Sequence, residues 1–184
     1  MTDAPSRPGA AVWRFRTEDA PHGLLREIHR LLDRAFGGDF SDHDWEHTLG
    51  GWHLVVTDGA VLAHAAVVPR LLEAGEEPVR AGYVEGVATD PARQGEGLGS
   101  WAMTEVSALL RGRFELGALS TGRHDFYGRL GWERWQGPTF ARHGSRRLRT
   151  EDDDDGVMVL RFGPTSALDL TSSLTCEGRE GDDW

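Results

Sequence analysis

The chain has 184 residues, of which 39% are hydrophobic and 27% charged, so it is long and apolar enough to fold as one globular domain. Its 30 acidic residues outnumber 20 basic ones, and the net charge of -10 argues against nucleic acid and favours a cationic small molecule as partner. There is no long apolar run, no signal-like start and only one cysteine, Cys176, so we expect a cytoplasmic protein without membrane contact.

The first third of the chain predicts a strand, two helices and a hairpin. Residues 1–10 hold two prolines and no periodicity, so we expect them to be flexible, and residues 12–15 form a candidate strand. An apolar stripe at helical spacing starts at Leu24 and ends before Gly37-Gly38. Ser41 with Asp44 three residues later predicts the start of a second, short helix.

The remaining elements alternate between strands and helices. Residues 53–57 and 61–68 read as strands joined through Asp58-Gly59, a hairpin signal. Further strands are predicted over 80–89, 115–120 and 157–162, with helices after the glycines near residue 97 and around Tyr127. We find no repeat and no boundary, so the pattern predicts a single α/β domain over residues 1–184.

The most informative segment, residues 83–100, places a glycine-rich loop between a strand and a helix. The unpaired N–H groups of a helix N-terminus carry partial positive charge and bind anions. Glycines at 95, 97 and 99 let the backbone approach a phosphate closely. The dinucleotide fingerprint would need Gly or Ala where Ser100 stands, and a Walker A loop needs a Lys, which the chain lacks. The loop therefore predicts a phosphate-bearing ligand of another class.

Two motifs resemble those of the GNAT superfamily of N-acetyltransferases. Gln94-x-x-Gly97-x-Gly99 resembles the loop that wraps the pyrophosphate of acetyl-CoA, and residues 125–132, DFYGRLGW, resemble the segment whose tyrosine faces the departing thiol. This implies the GNAT fold, with a mixed, mostly antiparallel sheet splayed at a β-bulge and flanked by helices, and acetyl-CoA as cosubstrate. Arg93 is expected to compensate for Gln94, which stands where an Arg is common. The resemblance implies cosubstrate contacts at Val87, Thr89, Arg93, Gln94, Gly95, Glu96, Gly97, Leu98, Gly99 and Ser100.

Glu85 lies inside an apolar strand, where a carboxylate must be paired, used in function or exposed at a sheet edge. Gly86 favours function, because a glycine within a strand often marks a bulge or the close approach of a ligand. Such a bulge would open a cleft beside Glu85, where the backbone N–H of Val87 could bond the acetyl carbonyl.

A closer resemblance, from about residue 30 onward, is to the aminoglycoside 2′-N-acetyltransferases. It is carried by residues 38–40, 44–51, 82–88 and 116–120, by the Asp-Asp-Gly after the acidic run and by the final Trp184. It implies acetyl transfer to the 2′-amino group of the drug by direct attack in a ternary complex, drug resistance and a homodimer. Drug contacts are implied at Asp39, Asp44, Glu85, Gly86, Ser120, Asp154 (one of four consecutive Asp, 152–155) and the terminal carboxylate of Trp184. Glu85 is implied as the base, through water, and Tyr127 as the acid.

Three alternatives are kept open beside this interpretation. The enzyme could acetylate another cationic amine, such as a polyamine or a cell-wall precursor, or the protein could bind acyl-CoA without catalysis. His43, Glu46 and His47 also match an H-x-x-E-H metal motif. No third ligand can be placed for that motif, and a capped polar helix with Trp45 facing the core explains the pattern better, so we expect no metal.

Overall fold

The structure is a computed structural model and describes residues 9–184, so most of the stretch 1–10 predicted to be flexible lies outside the described residues. These residues group into two compact units, 9–68 with 84–108 and 69–83 with 109–184. Whether the whole chain acts as one domain stays a prediction. No helix of residues 9–184 is long and apolar enough to cross a membrane.

The first unit is a strand layer with a helix on each face. Strands β1 (Ala11–Arg16), β2 (Trp52–Thr57) and β3 (Val61–Ala74) pair antiparallel in that order, and β4 (Glu77–Thr89) follows β3. The helices are α1 (Leu24–Ala35), α2 (Asp42–His47) and the first part of α3 (Leu98–Arg113). Short 3-10 helices cover Thr17–Asp19 and Pro91–Arg93.

Two consecutive residues of β2 show how this layer is built. Val55 packs in a cluster with Leu31 and Leu32 of α1, whereas Val56 packs in a cluster with Trp101 and neighbouring residues of α3. Because successive side chains of a strand point to opposite faces, α1 and α3 cover opposite sides of the strand layer. The predicted apolar stripe on α1 is therefore confirmed, and it ends as expected before Gly37.

The second unit contains the rest of the strands. The additional strands are β5 (Leu116–Ser120), β6 (Glu133–Arg134), β7 (Thr139–His143), β8 (Arg146–Arg149), β9 (Val157–Arg161) and β10 (Leu174–Glu177), with the short helix α4 (His124–Gly128). Further 3-10 helices cover Glu151–Asp153 and Gly163–Ala167. The strand order is β6-β9-β5-β4-β3-β10-β7-β8.

The sheet is mixed and mostly antiparallel, as the sequence predicts. The β4–β5 and β10–β7 pairings are parallel, whereas the β1–β2, β2–β3, β3–β10, β5–β9, β6–β9 and β7–β8 pairings are antiparallel. The end of α3 packs closely on the β4–β5 pair, since a Cβ at Gly82 would lie 2.3 Å from a Leu110 methyl. Sequence analysis missed β6, β7, β8 and β10, and it ended β3 too early, at residue 68.

Candidate active site

At the position of the predicted bulge, β4 contains a left-handed glycine. Gly86 has φ of 56°, a conformation that L side chains rarely adopt. A Cβ at this position would also lie 2.8 Å from the Thr48 methyl. Residues 81–84 of the strand are buried, whereas Glu85 and Val87 on either side of Gly86 are half-buried. Only glycine fits here without strain.

Two buried histidines, His53 and His64, connect to Gly86 through hydrogen bonds, and sequence analysis missed both. The His64 Nδ1 atom lies 2.7 Å from the Gly86 carbonyl oxygen, and the His64 Nε2 atom lies 3.0 Å from His53 Nδ1. Both side chains are fully buried. The available signal was a histidine in an otherwise apolar run, 61–68, because a buried polar side chain requires hydrogen-bond partners.

The glycine loop follows directly from β4 and opens α3. Gly95 and Gly97 adopt positive φ, 81° and 75°, and both are exposed. A Cβ at Gly95 would meet no atom within 4 Å, so the backbone conformation rather than crowding calls for glycine there. Leu98, the first residue of α3, is buried and anchors the helix. Backbone N–H groups at this helix start form a cradle suited to a pyrophosphate.

Arg93 is paired with carboxylates of the first unit. Its guanidinium makes a bidentate contact with Glu96, at 2.7 and 2.9 Å, and lies 3.4 Å from an oxygen of Asp58. Hydrogen bonds to these acids raise the pKa of Arg93. Because the acids offset its charge, the loop offers an anion mainly its backbone N–H groups rather than the compensating cation expected at Arg93.

The two predicted drug-binding acids of the first unit differ in their surroundings. Asp39 lies exposed after Gly37 and Gly38, both at positive φ. Asp44 completes the predicted capping box, since its Oδ2 atom accepts hydrogen bonds from the Ser41 N–H at 2.8 Å and the Ser41 hydroxyl at 2.9 Å. Asp44 thus stabilises the start of α2, in addition to any role toward a substrate.

In the second unit Tyr127 is held in an aromatic cluster on α4. It is 7% exposed and packs edge-to-face with Phe126 and Trp132, with ring centroids 4.9 and 6.1 Å away. Burial raises the pKa of Tyr127 to about 12, so the phenol keeps its proton throughout the neutral range. Ser120, the last residue of β5, is exposed.

Asp154 is engaged by its own unit. Its Oδ1 atom accepts from the Thr139 N–H at 2.8 Å, the Thr139 hydroxyl at 2.9 Å and Arg149 at 2.8 Å, and Oδ2 also contacts Arg149. These contacts, that with Arg149 foremost, lower the pKa of Asp154 to about 2. Burial and neighbouring carboxylates, including Asp182, instead raise the pKa of Asp153. A cation bound next to Asp153 would offset this repulsion.

Trp184 and Cys176 are both buried in the second unit. The Trp184 indole N–H donates to the Thr150 hydroxyl at 3.1 Å, and its ring centroid lies 6.5 Å from that of Tyr83. Burial raises the pKa of Cys176 to about 11, which leaves the thiol protonated at neutral pH. No cluster of three or more His, Cys, Asp or Glu in residues 9–184 could hold a metal, so His43, Glu46 and His47 do not form such a group.

Comparison with known proteins places this geometry in context. Residues 18–135 match the family described as an acetyltransferase (GNAT) domain. The chain is 43% identical over 174 residues to an aminoglycoside 2′-N-acetyltransferase of Mycolicibacterium fortuitum, covering 91% of this chain and 89% of that protein.

Similar solved structures include an Escherichia coli GNAT family N-acetyltransferase (YhbS) in complex with CoA, with a TM-score of 0.64 at 19% identity over 91% of this chain and 89% of that one. A Brucella melitensis GNAT family acetyltransferase in complex with acetyl-CoA has a TM-score of 0.56 at 24% identity over 85% and 90% of the two chains. At these identities, the structural matches support the GNAT fold.

Proposed function

Because the chain belongs to the aminoglycoside 2′-N-acetyltransferase family of the GNAT acetyltransferases, we propose that it transfers acetyl from acetyl-CoA to the 2′-amino group of aminoglycosides. The observation that carries this proposal is the 43% identity over 91% of the chain to a relative of that name. The glycine loop that opens α3 supports it, because a helix N-terminus after exposed glycines can bind the pyrophosphate of acetyl-CoA.

The glycine loop is proposed to bind the pyrophosphate of acetyl-CoA, which supplies the activated acetyl group. The fit rests on the exposed Gly95 and Gly97 at positive φ and on the N-terminus of α3 directly after them. The contacts proposed with acetyl-CoA are those at Val87, Thr89, Arg93, Gln94, Gly95, Glu96, Gly97, Leu98, Gly99 and Ser100. Since Glu96 and Asp58 pair with Arg93, its proposed role is to hold the loop rather than to add charge.

The acid–base roles are assigned to Glu85 and Tyr127. The 2′-ammonium loses one proton so that its nitrogen can attack the acetyl carbonyl carbon, and a second proton leaves nitrogen as the amide forms and the carbon–sulfur bond breaks. Glu85 takes the first proton through a water molecule, the Tyr127 phenol gives its proton to sulfur, and the second nitrogen proton restores the phenol. The Val87 N–H donates to the acetyl oxygen, where negative charge develops. No nucleophile of the protein is needed, consistent with the protonated Cys176 thiol.

Carboxylates are proposed to bind the ammonium groups of the drug. The contacts proposed with the drug are those at Asp39, Asp44, Glu85, Gly86, Ser120, Asp154 and the terminal carboxylate of Trp184. One carboxylate–ammonium contact at about 4 Å is worth ~1 kcal/mol in water and ~4 kcal/mol at an effective dielectric constant near 20. Several contacts of this kind make micromolar affinity attainable.

The test is thiol release from acetyl-CoA with two matched drugs, one bearing a 2′-amino and the other a 2′-hydroxyl group. We expect release to be much faster with the amine. Release with neither drug, while acetyl-CoA still binds, would retain the fold and reject the substrate. A screen of polyamines and cell-wall precursors then tests the alternative amines, and binding without turnover on any amine indicates an acyl-CoA-binding protein.

We propose further that the enzyme is cytoplasmic and homodimeric and that its activity confers drug resistance. These proposals rest on the family resemblance. Light scattering of the purified protein tests the dimer. Expression in a susceptible host tests resistance, with the Glu85→Gln variant as the control.

A further inference from the structure

A chain of hydrogen-bonded polar side chains, two of them buried histidines, ends at Gly86. Thr17 Oγ1 lies 2.9 Å from His53 Nε2, His53 Nδ1 lies 3.0 Å from His64 Nε2, and His64 Nδ1 lies 2.7 Å from the Gly86 carbonyl oxygen. At the far end the Gly50 N–H donates to the Thr17 hydroxyl at 3.0 Å. All five residues belong to the first unit.

The Gly86 carbonyl at the end of this hydrogen-bonded chain determines which atom carries each proton. The Gly86 carbonyl can only accept, so His64 carries its proton on Nδ1 and, as a neutral ring, accepts at Nε2. His53 must then donate from Nδ1 and accept at Nε2, and the Thr17 hydroxyl must donate to it. Burial keeps both rings neutral, since it lowers the pKa of His53 to about 4 and that of His64 to about 3. One arrangement of protons therefore satisfies both imidazoles.

Two fully buried imidazoles in apolar strands call for an explanation beyond packing. Leu or Val at positions 53 and 64 would fill the same core without the cost of desolvating polar atoms. The contacts along the chain offset that cost, and the ring of Phe15 stacks on His53 with centroids 5.4 Å apart. What the chain adds is a directed hydrogen bond to one backbone carbonyl, that of Gly86.

That hydrogen bond also fixes the direction of the neighbouring N–H. The described residues contain no cis peptide bond, so the planar peptide between Gly86 and Val87 holds its C=O and N–H antiparallel. With the carbonyl directed at His64, the Val87 N–H points away from the buried imidazole. Glycine at φ of 56° could otherwise rotate this peptide more freely than any other residue.

We propose that His64, held by His53 and Thr17, is a positioning residue that orients the Gly86–Val87 peptide so that the Val87 N–H meets the acetyl oxygen. The proposal rests on the proposed function, in which that N–H stabilises the charge developing on the acetyl group. A hydrogen bond received by the carbonyl also polarises the peptide, which makes its N–H a stronger donor. His64 thereby acts on the transition state without touching the substrate.

Two substitutions separate this role from simple packing. The amide nitrogen of Asn can occupy the place of Nδ1, so His64→Asn keeps a donor for Gly86, whereas the longer Gln places its amide near Nε2 and loses that donor. We expect His64→Gln to lower kcat by roughly 10- to 100-fold, less than the full loss of an oxyanion donor, with KM for the amine little changed. His64→Asn should retain most of kcat although both variants lose stability. The control is His29→Gln, because His29 lies in α1 and is not part of the hydrogen-bonded chain from Thr17 to Gly86.

Equal losses of kcat in His64→Asn and His64→Gln, or wild-type kcat in a folded His64→Gln, would overturn the proposal. An NMR readout keeps this test separate from that of the proposed function. In the wild type, the imidazole nitrogens should show Nδ1–H tautomers, and acetyl-CoA should shift the Val87 amide resonance, an effect lost in His64→Gln. An Nε2–H tautomer at His64, or a Val87 amide insensitive to acetyl-CoA, overturns the proposal even if no aminoglycoside is acetylated.

Discussion

Replacing Gly86 by Ala should destabilise the protein through two separable effects. The first is backbone strain, because φ of 56° is left-handed and costs a residue with a Cβ ~1–2 kcal/mol. The second is overpacking, because the new methyl would lie 2.8 Å from Thr48 Cγ2, and such overpacking costs ~1–3 kcal/mol. Together these effects predict a loss of about 2–5 kcal/mol in the free energy of unfolding.

The assay is urea unfolding followed by tryptophan fluorescence, with Gly37→Ala as the matched control. Gly37 also has positive φ, 68°, but a Cβ there would meet nothing within 4 Å. Gly37→Ala should therefore cost only the backbone term, about 1 kcal/mol. Thr48→Ser removes the clashing methyl, so the double variant Gly86→Ala with Thr48→Ser should recover much of the overpacking term.

The reasoning is refuted if Gly86→Ala costs no more than Gly37→Ala, or if Thr48→Ser gives no recovery. Activity provides a second readout. A tilted peptide at 86–87 would weaken the hydrogen bond from His64, so kcat of the folded variant should fall further than its stability at assay temperature explains.

Glu85→Gln should lower kcat/KM and alter the acidic limb of its pH profile, whereas the exposed Glu77→Gln on the same strand should not; an unchanged profile would remove Glu85 as the base. Tyr127→Phe should lower kcat by ~10²-fold, and near-wild-type kcat would reduce the tyrosine to packing. Asp154→Asn should cost about 1–2 kcal/mol of stability above pH ~4, because partners in its own unit hold the pKa of Asp154 at about 2. The wild type should lose this same contribution as the pH falls toward 2. Asp153→Asn should mainly raise KM for the drug. A loss of stability in Asp153→Asn together with a raised KM in Asp154→Asn would contradict these assignments.

Sequence reasoning succeeded where local chemistry decides the structure. The stripe of α1, the capping box at Ser41 and the turn at Asp58-Gly59 all depend on residues within a few positions of one another. The glycine loop is of the same kind, because positive φ at Gly95 and Gly97 follows from residue type and position.

The missed elements depend on distant partners. β8 reads RRLR and is exposed throughout, so it has no alternation of apolar and polar residues to reveal a strand. β10 pairs in parallel with β7, from which residues 144–173 separate it in sequence. The contact between His53 and His64 requires the register of the β2–β3 pair, which places Val55 opposite His64. A hairpin signal predicts that two strands pair, but it does not fix which side chains meet.

The net charge of the chain predicts the class of substrate, but it is a weak guide to which acidic residues bind the substrate. The net charge of -10 predicts a cationic substrate, but it does not tell which acids carry the excess charge, and Glu96 beside Arg93 and Asp154 beside Arg149 are neutralised locally. Such acids hold loops in place and contribute little field to a ligand. Asp153, by contrast, lies among other aspartates and has a raised pKa, so a bound ammonium group would relieve repulsion there. Substrate affinity should therefore depend on the acids without an arginine partner rather than on the total charge.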